Sequence, residues 1–78
     1  MSVTNTASLH AHLFWYVREQ HELTRLQLAR ILGVSGSMIA KIETGVRNPS
    51  IKVYAKLNAY LNGRTQELLA FVMQQASG

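Results

Sequence analysis

Cysteine and aspartate are absent from the 78 residues, and proline occurs once, at Pro49. Without cysteine there is no disulfide scaffold and no thiolate metal site, a composition that suits a reducing cytosol. Without aspartate the only carboxylate side chains are Glu19, Glu22, Glu43 and Glu67. They are scattered, and no set of nucleophile, base and orienting group stands out, so an enzyme is not expected. No run approaches the roughly 18 apolar residues of a membrane span. The opening MSVTNTAS has neither a basic region nor an apolar stretch. A secretory signal is therefore not expected, and the cytoplasm is the expected location. Alternating β-type runs are missing as well, which leaves an all-α chain.

What is present is apolar and basic. Apolar residues make up 47% of the chain, too many for disorder and more than a core this small hides easily. Eight Lys and Arg face four Glu, a net charge of +4 that favours polyanions, nucleic acid above all. Charge alone fits a merely soluble surface equally well. The positions of the charges must decide.

Glycine and proline divide the chain into helical segments with no internal repeat or linker, so one domain over 1–78 is expected. The first helix spans about 7–20, with Leu9, Leu13, Phe14 and Val17 along one side. Thr24, with Gln27 three residues on, forms a capping box for a second helix to Leu32, and Leu23 and Leu28 staple its start. Gly33 follows at the position where a left-handed backbone ends a helix. Ser35 caps a third helix running to Glu43. Ser50 caps a fourth, whose Ile51, Tyr54, Leu57 and Leu61 recur at helical spacing and which stops at Asn62-Gly63. A fifth covers about 65–75.

The third helix carries the informative pattern. Ile39 and Ile42 point inward with Met38 at their margin, while Gly36, Ser37, Ala40, Lys41 and Thr44 form one stripe on the other side. A stripe this small lets a helix backbone come close to base edges in a DNA major groove. Lys41 can donate to the O6 and N7 acceptors of guanine, Ser37 can bond either kind of edge, and Ala40 can touch a thymine methyl. A short solvated surface helix would show a similar stripe. The capped second helix, Gly33 and the basic rim set this one apart.

Leu23-Thr24, Leu28-Ala29, Leu32-Gly33-Val34-Ser35, Ile39, Ile42-Glu43, Gly45 and Arg47-Asn48-Pro49-Ser50 keep their spacing without insertion. In these residues the chain resembles the helix-turn-helix of the lambda-repressor and Cro-type family, found in phage repressors, restriction-modification controller proteins and antitoxins. The similarity covers about residues 9–69. It implies a compact five-helix bundle that binds double-stranded DNA as a dimer, with the helix-turn-helix at about 24–43 and the third helix in the major groove.

The resemblance also implies roles for single residues. Gly36, Ser37, Ala40 and Lys41 fall on base-reading positions, although Gly36 stands where many relatives place a long reader. Arg25, in place of a usual glutamine, joins Ser35, Arg47 and Asn48 as the expected phosphate-binding set. Arg18 and Glu43 match a salt bridge that joins the first and third helices in several relatives.

Other residues tempt a different reading. His10 and His12 lie about 200° apart around a helix axis, on opposite sides, and His21 is distant, so neither a metal site nor a cofactor is expected. Trp15 and Tyr16 sit beside the core side of the first helix, and Trp15 is expected to pack under the fifth helix or at a subunit boundary in preference to stacking on DNA. Asn58 is expected to interrupt the inner side of the fourth, hydrogen-bonded at the core edge. Leu68 to Met73 is apolar all round. We therefore expect a twofold dimer built from Tyr60, Leu68, Leu69, Phe71 and Val72.

The expected function is a small repressor of phage or controller type, bacterial or phage in origin, acting at a palindromic operator. The alternative is an antitoxin that binds a toxin protein and regulates its own operon.

Overall fold

The computed structural model describes the backbone of residues 6–77 and the side chains of residues 9–75. Five helices follow one another: α1 Thr6–Gln20, α2 Arg25–Leu32, α3 Gly36–Glu43, α4 Ile51–Tyr60 and α5 Thr65–Ser77. There is no strand among the described residues. The fold is an all-α five-helix bundle.

Local chemistry sets most helix ends. The Thr24 hydroxyl accepts from the Gln27 N–H at 3.1 Å, and the Gln27 amide oxygen accepts from the Thr24 N–H at 2.8 Å, so both halves of the capping box are formed. The Ser35 hydroxyl accepts from the Met38 N–H at 3.1 Å, and the Ser50 hydroxyl from the Val53 N–H at 3.2 Å. Between α2 and α3 the chain turns at Gly33, whose φ of 71° and ψ of 32° are left-handed. The Val34 N–H then reaches back to the Ala29 carbonyl at 2.9 Å and closes the turn.

The inward faces meet in one core. Leu13, Phe14 and Val17 of α1 pack with Leu28, Ala29 and Leu32 of α2, Ile39 and Ile42 of α3, Val53 and Leu57 of α4, Leu61 just after it, and Val72 of α5. Leu9, Leu23, Val34 and Met38 lie half-buried at its edge. α3 packs against both α1 and α2, and α5 closes over α1.

Two expectations for α4 are corrected. Its buried line is Val53, Leu57 and Leu61, whereas Ile51 is 91% exposed. Ile51 lies two residues before Val53, about 200° around the axis, so the two cannot share a face. Asn58 is exposed and does not interrupt the inner side. Its amide oxygen accepts from the Thr65 N–H at 3.4 Å, which places it over the first turn of α5.

Candidate nucleic-acid interface

The outer face of α3 begins with the smallest side chain. A side chain at Gly36 would meet only the Leu26 Cδ1, at an ordinary 3.8 Å, so no crowding demands glycine there. Ser37, Lys41 and Thr44 are exposed and Ala40 is half-buried, while Ile39 and Ile42 on the opposite side are fully buried. The hydroxyl of Ser35 is engaged in capping α3 and retains its O–H to donate. After α3 the chain folds back on its own end. The Gly45 N–H reaches the Ile42 carbonyl at 3.1 Å, and the Val46 and Arg47 N–H groups reach the Lys41 carbonyl at 3.0 and 3.2 Å. That return leaves Arg47 and Asn48 exposed just past the C-terminal end of the stripe.

Glu43, the last residue of α3, organises the charges behind the stripe. Its side chain is 2% exposed and receives two arginines. Arg18 donates through Nε to Oε2 at 2.6 Å and through Nη2 to Oε1 at 3.0 Å. Its Nη1 also donates to the Leu23 carbonyl at 3.0 Å, which fastens the α1–α2 turn. The hydrogen bond to Glu43 holds the Arg18 guanidinium above its ordinary pKa, against the opposing effect of burial. Arg25 donates through Nε to Glu43 Oε1 at 3.2 Å and stays half-exposed. Instead of pointing wholly outward, it is thus tied to the carboxylate that Arg18 already holds.

A cleft of about 380 Å³ opens beside this triad. Ala11, His12 and Trp15 of α1 form one wall, and Arg25, Glu43, Thr44 and Gly45 complete it. Trp15 is 44% exposed, with its ring centroid 5.7 Å from that of His12. It does not lie under α5. Tyr16 does, with its ring 5.4 Å from that of Phe71. The pattern that could have placed Trp15 is its spacing of three from Arg18, which puts both on the face of α1 that meets α3.

A family model described as helix-turn-helix matches residues 16–71, most of the chain. The chain belongs to the helix-turn-helix family of lambda-repressor and Cro type. This is a family of DNA-binding transcription regulators. The domain is also similar to an uncharacterised HTH-type transcriptional regulator of Methanocaldococcus jannaschii, with 34% identity over 56 residues, 72% of this chain and 85% of that protein. No solved structure matches it.

The remaining candidate residues of this helix-turn-helix domain lie away from the stripe. Tyr60 is half-buried, and its hydroxyl lies 3.1 Å from His21 Nδ1. Leu68 and Leu69 are half-buried against the core, and Phe71 is 42% exposed. Val72 is fully buried within the protomer, so its side chain cannot touch a second subunit. It shares the inward line of α5 with Thr65, seven residues earlier and also buried. His10 packs edge-on against Tyr54 while His12 faces Trp15, so the two histidines diverge. No group of three His, Cys, Asp or Glu among the described residues is placed to hold a metal ion. Nor is any helix there long and apolar enough to cross a membrane.

Proposed function

We propose that this regulator is a dimeric repressor that binds a palindromic operator in double-stranded DNA, with α3 in the major groove. The observation that carries this reading is the outward stripe of exposed Ser37 and Lys41 with half-buried Gly36 and Ala40, sealed behind by Ile39 and Ile42. Ser37 and Lys41 are its only polar readers apart from Thr44. The Thr44 hydroxyl is turned back on the Ala40 and Lys41 carbonyls at 2.9 and 3.2 Å. With so sparse a reading face, contacts to phosphate from Arg25, Ser35, Arg47 and Asn48 and the deformability of the operator carry much of the affinity.

Dimerisation follows from the same reading. One helix in one groove binds weakly, and α5 leaves Phe71 and Met73 on the surface. Phe71 and Met73 lie on either side of the buried Val72, and Tyr60, Leu68 and Leu69 are the remaining residues of the proposed interface. Two recognition helices related by a dyad reach grooves about 34 Å apart, so half-sites fall about ten base pairs apart. Selection of bound sites from random duplexes tests the reading. Recovery of a palindrome with that spacing is the expected result, and recovery of no common sequence would overturn it. An antitoxin would use the same α5 surface for a toxin protein, and a toxin-like reading frame beside the gene would favour that alternative.

A further inference from the structure

We propose that Trp15 and His12 of α1, with Arg25, form a second docking point for the DNA backbone, seating a phosphodiester in the cleft at the end of α3. The inference rests on the DNA-binding reading above and adds to it a contact from a helix outside the helix-turn-helix.

Position is the first argument. Thr44 belongs both to the exposed stripe of α3 and to the cleft wall, so the cleft lies at the C-terminal end of the reading face. α3 has eight residues, a length of about 12 Å, and the major groove is about 12 Å wide. The end of such a helix comes within side-chain reach of a phosphate ridge.

Charge is the second. Glu43 is the only acid lining the cleft, and Arg18 already satisfies it through two hydrogen bonds from behind. Arg25 is therefore a surplus cation. Its single bond to Glu43 is the longest of the three, and its side chain is 48% exposed. Swinging away from Glu43 toward an arriving phosphate leaves the carboxylate paired.

The third is the indole itself. Trp15 is a large apolar side chain left 44% exposed, and no residue among those described accepts its indole N–H. That donor can reach a phosphate oxygen while the ring face covers the adjoining deoxyribose. The His12 ring, 5.7 Å away and tilted by 46°, lines the same wall of the cleft and adds a second donor. Such a contact is blind to base sequence.

Trp15 is the sole tryptophan, so its emission reports on this cleft alone. The full chain is titrated at low salt with a random-sequence duplex of about 30 base pairs, long enough for two half-sites. Binding is followed by anisotropy of a label on the DNA, and Trp15 exposure by quenching with acrylamide, a neutral quencher indifferent to DNA charge. Bound protein should lose most of its acrylamide quenching. Trp15→Phe, which keeps the ring and removes the donor, should weaken binding about threefold on every sequence, and Trp15→Ala about tenfold. Neither should change the salt slope, because neither removes a charge, whereas Arg25→Ala should lower it by about one. Binding with unchanged quenching, or with wild-type affinity in Trp15→Phe, overturns this inference and leaves the DNA-binding reading standing. Absence of binding at low salt overturns both. The quenching measurement uses the unaltered chain, so a variant that fails to fold does not leave the inference untested.

Discussion

Arg18 and Glu43 stand 25 residues apart in sequence and share two hydrogen bonds, which fix the end of α3 to the last turn of α1. The carboxylate is almost wholly removed from water, and it sits where the dipole of α3 is least hospitable to an anion. Removing Arg18 leaves it with one half-exposed partner. Arg18→Met should therefore cost about 2–3 kcal/mol, somewhat below the range for a fully buried pair because the guanidinium keeps some contact with water. Arg25→Ala should cost under about 1 kcal/mol, as for other exposed pairs. Urea denaturation of both variants measures the contrast, and equal losses would refute the division of labour between the two arginines.

Gly33 gives a second test. Its left-handed φ of 71° penalises any side chain, and the only atom a Cβ would crowd is the movable Lys56 Nζ, at 2.8 Å. Gly33→Ala should lose about 1–2 kcal/mol from backbone strain. Shortening the lysine in the same chain, as Lys56→Ala, should not recover it. Recovery would show that crowding, and not backbone conformation, sets the cost.

Gly36 should behave oppositely. It lies in right-handed helix, where a Cβ would make only an ordinary contact with Leu26 Cδ1 at 3.8 Å, so Gly36→Ala should stabilise the fold by about 0.5–1 kcal/mol. Gly36→Gln supplies a long polar side chain at the start of the stripe. In site selection it should sharpen the preference at one position of each half-site, and an unchanged preference would argue against the proposed docking.

Lys41→Ala should do the reverse. Losing the one cationic reader should relax specificity at a single position per half-site by about 1–3 kcal/mol, while overall affinity stays salt-dependent. Competition between the selected operator and point-substituted duplexes measures it. A uniform loss across all sequences would reassign Lys41 to the phosphates.

Tyr54 contributes to the loss of stability at alkaline pH. Burial raises the pKa of its phenol above the ordinary value of 10.0. The folded state therefore holds this proton more tightly than the unfolded chain does. The contribution is fully present below pH 10.0 and is lost as pH rises through the higher, folded value. Tyr54→Phe removes this component. Urea midpoints from pH 8 to 11 should fall less steeply for the variant, and parallel curves would place the alkaline loss elsewhere.

The sequence carried the helix boundaries well because caps are local. Thr24 and Gln27, Ser35, and Ser50 each satisfy an N–H within three residues, and Gly33 satisfies a turn that no neighbour could supply. The rotation of α4 was not legible. Ile51, Tyr54, Leu57 and Leu61 fit a helical period as well as Val53, Leu57 and Leu61 do, and only the neighbouring helices choose between them. That Trp15 does not pack under α5 was illegible for a related reason. It sits one residue from Tyr16, yet that step of about 100° carries one ring to α5 and the other to the end of α3. The tie between Arg25 and Glu43 was not legible either, because the two are 18 residues apart.

The buried pair Ile39 and Ile42 separates two tasks within eight residues of α3. Core packing is concentrated at positions that no groove could touch, and the positions facing out carry almost none of it. Positions 37 and 41, both exposed, can therefore be rewritten without repacking the interior. A panel of substitutions there should yield proteins of near-equal stability that differ in which duplexes they retain, so that the domain works as a fixed mount with an exchangeable edge.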